Sequence, residues 1–464
     1  MKLILLSGGS GKRLWPLSND SRSKQFLKVL KNDNNEFESM VQRVWNQLHT
    51  VGLAEDSYVA TSKSQVDMLH AQLGTEVPLI IEPERRDTFP AIALAATYLY
   101  SMEGVREDDV ISVLPVDPYV ESRFFDRVKD LETALVQSSA ELALIGVKPT
   151  FPSEKYGYIV PKKGEHDVVA NVLAVDYFVE KPSTSRAQEL MKQQAFWNCG
   201  IFAFKLGYLI SLLKEKKLPT DYEEMLHTYN QLPKISFDYE VVEKAQNIIM
   251  LPYEGEWKDL GTWNTLTEEM NTNLLGKGII SEGCENTHLI NELDIPVTIL
   301  GISNAVIAAS PDGILVTDKE ASPRIKDIMK NFNQRPMYEE RRWGWYRVLD
   351  HTKVENGNEV LTKRIGVHAG KNLSYQIHHK RSEVWTIISG EGQFVLNDQL
   401  YHVKPGDVLQ IPVGAKHAIR AITDLQFVEV QTGSELIEED IIRLCMTWEE
   451  TLDCCKDCIV KVIR

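Results

Sequence analysis

Lys2-Leu3-Ile4-Leu5-Leu6-Ser7-Gly8-Gly9-Ser10-Gly11-Lys12-Arg13 opens the chain with an apolar run that breaks into glycines and then two cations. Such a run reads as a buried strand. Glycines after it let the backbone turn its N–H groups towards an anion and leave room for a phosphate to approach. Lys12 and Arg13 add charge-assisted donors. A kinase-type P-loop does not fit, because Leu6 stands where its first Gly belongs and Arg13 where a Ser or Thr should follow the Lys. The dinucleotide fingerprint fails at its third Gly, which here is Leu14.

Working outward, residues 1–270 alternate strand-like runs (VISVLP, ALIGV, IFAFK) with amphipathic stretches such as FFDRVKDLETALVQ. That alternation predicts an α/β domain on a mainly parallel, Rossmann-like mixed sheet, with chemistry at the strand C-terminal ends. Residues 271–335 carry short strand-like pieces (VTILG, AVIAAS, GILVT) and read as a connecting β-rich module and linker, followed by the helix-compatible KDIMKNFNQRPMYEERR. Residues 336–444 change texture to short strands divided by glycine turns (EVLTKRIGV, SEVWTIISG, GQFVLND, GDVLQIP), which predicts a small all-β barrel. Residues 445–464 form a tail holding Cys445, Cys454, Cys455 and Cys458. Without a nearby His this cluster reads as a surface tail or helix of free thiols rather than a metal knuckle.

The 464 residues include 51 Lys plus Arg against 66 Asp plus Glu, a net charge of −15 that repels polyphosphate backbones and argues against nucleic-acid binding. Any phosphate site must therefore be local. No apolar stretch reaches the roughly 18 residues of a spanning helix, and the N-terminus lacks the length and cleavage region of a secretory signal. The expectation is a cytoplasmic enzyme without a membrane partner.

Ser7 to Ser18, followed by Ser23-Lys24-Gln25-Phe26-Leu27, closely resembles the nucleotidyltransferase signature G-G-x-G-T-R-L-x-P-L-(S/T) with its later P-K. Ile81-Glu82-Pro83, Arg86-Asp87-Thr88-Phe89-Pro90-Ala91-Ile92 and Leu114-Pro115-Val116-Asp117 are similar to blocks of mannose-1-phosphate guanylyltransferases. So are Tyr156-Gly157-Tyr158-Ile159, Phe178-Val179-Glu180-Lys181-Pro182, Trp197-Asn198-Cys199-Gly200 and Trp257-Lys258-Asp259-Leu260-Gly261. The resemblance implies that Asp117 and Asp259 hold Mg²⁺ and that Arg13 and Lys24 grip the triphosphate beside Gly8, Gly9 and Gly11. It further implies Lys181 on the sugar phosphate, Gly157, Glu180 and Asn198 on the sugar hydroxyls, and Glu82, Arg86 and Thr88 around the base. Lys12 replaces the family's Thr, Asp87 its Asn, and Pro118 its His after the metal-binding Asp.

Further along, Gly370, five residues, Gln376-x-His378, four residues, Glu383, six residues, Gly390 matches the first cupin motif with Gln in place of its first His. Gly406, five residues, Pro412-x-Gly414, two residues, His417 matches the second. On paired strands Gln376, His378, Glu383 and His417 can converge on one divalent ion such as Zn²⁺ or Mn²⁺. The block from Leu373 to Trp385 resembles phosphomannose isomerases of the bifunctional type fused to guanylyltransferases, with Arg381 as a candidate for phosphate or enediolate. Lys380 and Val384 stand where that family has His, and Arg342-Trp343-Gly344 lacks the Pro of its R-P-W-G. These departures leave the barrel open between an isomerase, a metal cupin of other chemistry, and a barrel kept for assembly.

The resemblance implies a Mg²⁺-dependent enzyme joining GTP and mannose 1-phosphate to GDP-mannose and pyrophosphate, assembled as a homo-oligomer, with mannose 6-phosphate or fructose 6-phosphate as ligands of the barrel. Two alternatives remain at this level: a pyrophosphorylase for another hexose 1-phosphate or nucleotide, and a non-catalytic sugar-nucleotide sensor.

Overall fold

The computed structural model describes residues 1–9, 12–167, 172–332, 334–354, 357–437, 440–455 and 461–462. Gly11 and Cys458 therefore lie outside the described residues.

A nine-stranded sheet organises the first half of the chain. The strand Lys2–Ser7 pairs in parallel with Ser57–Ser62 on one side and Val110–Pro115 on the other, and Ser57–Ser62 pairs in parallel with Leu79–Glu82. Phe196–Lys205 then runs antiparallel between Val110–Pro115 and Leu142–Val147. The far edge is antiparallel too, through Val172–Val179 and Tyr158–Asp167. The sheet is thus mixed, with parallel pairing concentrated around the first strand. Leu3 and Leu5 enter the hydrophobic cluster on one face and Ile4 the cluster on the other, which is why the opening run is apolar at every position rather than alternating. Burying each such side chain contributes about 1.5–3 kcal/mol.

Residues 274–318 form short rungs: Leu274–Gly276, His288–Asn291 and Ala305–Ser310 stack in parallel, as do Gly278–Ile280 and Val297–Ile299. This module is packed onto the N-terminal loop. Ile290, Val306 and Ala308 share a core with Leu14, Leu17 and Leu27. Ser310 donates to the Pro16 carbonyl at 2.7 Å, and Arg22 forks onto Glu292 with two 2.9 Å hydrogen bonds. The stretch that looked helix-compatible is helical only over Ile325–Ile328, with a tight turn at Met329–Asn331, and becomes the strand Tyr338–Arg341 after Pro336. Pro336 removes a helical donor and forces its predecessor out of helical geometry, so no helix could run on through it into Tyr338–Arg341.

Two six-stranded sheets make the C-terminal barrel around Trp385, Phe394 and Phe427. The tail joins it: Ile442–Cys445 pairs with Tyr375–Ile377, and the helix Trp448–Cys454 starts on a Thr447–Glu450 capping box. The Cys445 and Cys454 thiols lie 3.7 Å apart, unbonded. Among the described residues, no helix is long and apolar enough to cross a membrane.

Candidate active sites

Gly8 and Gly9 leave the C-terminal end of the first strand and line a cavity of about 360 Å³ with Gln25, Glu82, Arg86, Asp87, Thr88, Asp117 and Asp238. Ser23 holds the loop by donating to the Gly9 carbonyl at 2.8 Å, and the Gln65 side-chain amide meets the Ser23 hydroxyl at 2.6 Å. Glu82 is buried, and burial raises its carboxyl above the usual range although Tyr229 donates to it at 2.6 Å. Arg86 is held by Glu84 and the Leu232 carbonyl, and Thr88 accepts from the Phe237 amide at 2.8 Å. Asp87 sits at φ +71° and caps the helix Thr88–Ser101. With ψ at −176° this is a backbone conformation that residues with a side chain rarely adopt, held here by the Asp87 carboxylate accepting from the Thr88 amide at 2.8 Å. Lys12 points elsewhere, into a separate cavity with Trp15 and Phe332. Arg13 is exposed beside the loop, and its charge acts on Asp259.

A second cavity, of about 240 Å³, continues from the first through Asp117, Gly200 and Asp238. Here Lys24 lies between two carboxylates, its ammonium 2.9 Å from Asp117 Oδ2 and 2.9 Å from Asp259 Oδ1. The convergence is built by the backbone. Trp257–Asp259 pairs antiparallel with Pro118–Val120, setting Asp259 opposite Pro118 and hence next to Asp117. Trp263, fully buried, anchors the following helix by donating to the Trp15 carbonyl at 3.1 Å. Burial opposes the Lys24 charge, but the two carboxylates outweigh it and hold the ammonium above its ordinary range. Burial would likewise raise Asp259, yet Lys24 and Arg13 keep it below the usual carboxylate value. Hard carboxylate oxygens aimed at one cation are the donor set Mg²⁺ takes, so the residues fit the expected ion.

At the far end of this cavity Asn198 donates from its amide to Asp238 Oδ1 at 2.8 Å, and its backbone amide donates to the Gly157 carbonyl at 2.8 Å. A Cβ on Gly157 would come within 2.6 Å of Glu180 Oε2 and 2.5 Å of the Phe178 ring, so only glycine leaves Glu180 in place. Burial raises the Glu180 carboxyl, while Lys181 donates to it. Lys181 itself is half exposed at the rim. Asp238 was not among the sequence candidates. Burial, reinforced by the Glu180 charge, pushes it up to about 7. In sequence it is one acid in a short helix, Phe237–Glu240, with no spacing to single it out.

In the barrel, His378, Glu383 and His417 bring ligand atoms within 4.8 Å of one another. Gln376 lies directly across the ladder from His417. Its amide nitrogen meets His378 Nε2 at 3.3 Å while its oxygen accepts from Ser374, so it borders the cluster without turning an oxygen into it. His378 Nδ1 contacts the Asp440 carbonyl at 2.9 Å and His417 Nδ1 the Ala415 carbonyl at 3.1 Å. With each Nδ1 committed as a donor, both Nε2 atoms present lone pairs inwards. His417 Nε2 is buried with no hydrogen-bond partner, as expected of an atom reserved for a metal. Burial lowers both imidazoles, His378 to about 4, despite the Glu383 charge. Burial would raise Glu383, but the imidazoles and Arg381 hold it down as a carboxylate. Arg381 is itself buried, donating to Glu383 at 2.9 Å and meeting His378 Nε2 at 3.3 Å. It therefore faces the ligands at the inner end of the barrel cavity. Two of the positions that weakened the sequence reading face outwards, Lys380 being exposed and paired with Glu435 and Val384 exposed between buried Glu383 and Trp385, whereas Arg342 and Trp343 line the barrel cavity. Glu429, another residue the sequence reading left without a role, is buried beside Glu383 and pushed up to about 8 by burial and that charge.

The nucleotidyl transferase family matches residues 2–275, and the mannose-6-phosphate isomerase C-terminal family matches residues 330–445. The chain is 30% identical to the Xanthan biosynthesis protein XanB of Xanthomonas campestris pv. campestris (strain B100), covering 97% of this chain and 99% of that one. It is 30% identical to the mannose-1-phosphate guanylyltransferase RfbM of Salmonella typhimurium (strain LT2), covering 95% and 96%. A crystal structure described as mannose-1-phosphate geranyltransferase from Thermus thermophilus superposes with a TM-score of 0.58 at 27% identity, over 71% of this chain and 98% of that one.

Proposed function

The chain belongs to the nucleotidyl transferase family and carries a mannose-6-phosphate isomerase C-terminal domain behind it, and from that premise we propose that it makes GDP-mannose and pyrophosphate from GTP and mannose 1-phosphate. The observation that carries this reading is Lys24 between Asp117 and Asp259, at the junction of two continuous cavities. One cavity takes the nucleotide against Gly8, Gly9, Glu82, Arg86 and Thr88. The other takes the sugar against Gly157, Glu180, Asn198 and Asp238.

Nucleotidyl transfer needs the sugar phosphate oxygen in line with the α-phosphate while charge builds on the departing pyrophosphate. Asp117 and Asp259 would hold Mg²⁺, which supplies neutralisation of the phosphate charge when bound. Lys24 and Arg13 hold phosphate oxygens, and Lys181 guards the sugar phosphate at the rim. Asn198 fixes the Asp238 carboxylate, which with Glu180 accepts hydrogen bonds from sugar hydroxyls. The same reading places the enzyme in the cytoplasm as a homo-oligomer, divided at about residues 270, 335 and 444.

For the barrel we propose interconversion of mannose 6-phosphate and fructose 6-phosphate. His378, Glu383 and His417, with Gln376 alongside, would hold a divalent ion such as Zn²⁺ or Mn²⁺, which supplies polarisation of the sugar carbonyl when bound. Arg381 keeps Glu383 ionised and lies close enough to the ligands to meet an enediolate oxygen. Glu429, whose carboxyl burial and the Glu383 charge push up, lines the same cavity.

The test is a grid of four nucleoside triphosphates against several sugar 1-phosphates, read as Mg²⁺-dependent pyrophosphate release. GTP with mannose 1-phosphate should lead. A preference for another pair would overturn the substrates while leaving the reaction class, and no release from any pair would favour a ligand sensor. Fructose 6-phosphate formation that stops with a chelator and returns with a divalent metal tests the barrel.

A further inference from the structure

The barrel cavity, of about 420 Å³, is not enclosed by the barrel alone. Its inner end holds Glu383 and Arg381, while its outer wall includes Lys63, Val66, Asp67 and Ile81 from the nucleotidyl transferase half. The short turn Lys63–Gln65 leaves the strand Ser57–Ser62 and leads into the helix Val66–Leu73. Gln65 faces inwards to the loop at Gly9 and Ser23, whereas Lys63 is exposed on the cavity side. Asp67 pins this segment to the barrel through a 3.2 Å ion pair with Arg341.

Charge shows what the mouth is built to hold. Among the described lining residues, six are Lys or Arg and three are Asp or Glu, so cationic side chains outnumber acidic ones in a chain whose net charge is −15. The three acids already have cations: Arg381 lies 2.9 Å from Glu383, Lys363 3.9 Å from Glu429, and Arg341 3.2 Å from Asp67. The remaining cations are Lys63, Arg342 and Arg443. Arg342 is half-buried, and burial together with the charge of neighbouring Arg443 lowers it against the opposing pull of Asp67. Lys63 and Arg443 are exposed beside it, and like charges gathered at one mouth are costly alone and favourable around a dianion. Arg342 also occupies a position at which the sequence departs from the family pattern R-P-W-G.

We infer that the barrel site is completed by the other half of the chain, and that Lys63, Arg342 and Arg443 form a phosphate subsite at its mouth. There they hold the phosphate of a phosphorylated hexose whose sugar reaches towards His378, Glu383 and His417. The identity of the sugar rests on the isomerase reading above; the anion subsite does not.

The experiment is titration calorimetry on the full chain with mannose 6-phosphate, inorganic phosphate and mannose, using wild type, Lys63→Ala, Arg342→Ala and Lys63→Arg. Removing one charge-assisted contact should weaken mannose 6-phosphate by about tenfold or more in each Ala variant. Inorganic phosphate should weaken in parallel, mannose should not change, and Lys63→Arg should recover most of the affinity. Circular dichroism matching wild type shows that the variants are folded. Ala variants that bind mannose 6-phosphate as tightly as wild type overturn the subsite, and if wild type also makes fructose 6-phosphate the isomerase reading survives that failure. Wild type that binds mannose 6-phosphate, loses it in the Ala variants and makes no fructose 6-phosphate supports the subsite and overturns the isomerase.

Discussion

Replacing Lys24 by Met should make the protein's stability depend on divalent ions. Each carboxylate lies 2.9 Å from the Lys24 nitrogen, so Asp117 and Asp259 are no more than about 6 Å apart. Two unit charges at that separation repel by about 3 kcal/mol at an effective dielectric of about 20. Their side chains are 19% and 31% exposed, so solvent and small shifts relieve part of this, leaving about 2 kcal/mol. For a region of this size that corresponds to roughly 4–8 °C in the first unfolding transition. Asp259 is held below its unfolded value in the native state, so the Lys24 contribution is present above about pH 4 and is lost as acid protonates Asp259. Thermal unfolding of Lys24→Met and wild type, each in chelator and in Mg²⁺, at pH 7.5 and pH 3.5, measures this. Lys24→Met should melt lower in chelator at pH 7.5, gain more from Mg²⁺ than wild type does, and show a much smaller deficit at pH 3.5. Equal melting in chelator at pH 7.5, or equal gains from Mg²⁺, would refute the claim that the two carboxylates form one cation site.

Asp117→Asn and Asp259→Asn should each lower pyrophosphate release by roughly a thousandfold while circular dichroism stays unchanged, since each removes a charge that orders the phosphates; near-normal turnover in both variants sinks the assignment. Gly157→Ala should raise KM for the sugar 1-phosphate about tenfold with little change in KM for the triphosphate, because the new Cβ displaces Glu180. Asp238 is raised above its unfolded value, so its ionisation costs stability as pH climbs from about 4 through about 7. Asp238→Asn should therefore be more stable than wild type at pH 8, on the order of 1 kcal/mol, and lose any inflection near pH 7 in KM for the sugar. In the barrel, His417→Ala should lower the divalent metal retained after dialysis, measured by elemental analysis, and leave nucleotidyl transfer intact; undiminished metal would remove His417 from the ligand set.

Much of the site is legible in the linear sequence because its chemistry is written in short-range spacing. A glycine turn after an apolar strand, an acid at a strand end, His378 with Glu383 in one cupin motif and His417 in a second are each set by residues that are neighbours along the backbone. Local geometry constrains those positions, and a linear reading captures local geometry. Asp238 escapes such a reading because its value lies in Asn198 and Glu180, which other elements bring to it. The orientation of Lys380 and Val384 is likewise decided by packing: alternation along Arg381–Ser389 turns Val384 out of the barrel while Glu383 turns in, and Lys380 precedes that strand on the exposed side.

The sequence by itself determined the α/β half and the β barrel, since periodicity and spacing are properties of the chain, while the candidate residues of the transferase site came from its resemblance to guanylyltransferases. Only the tertiary structure decided which cation faces which acid. Lys24 is placed between Asp117 and Asp259 by a strand pairing, Arg381 is committed to Glu383, and Lys63 is carried to the mouth of a cavity in the other half of the molecule. Pair energies depend on separation and burial, and neither quantity exists until the chain has folded.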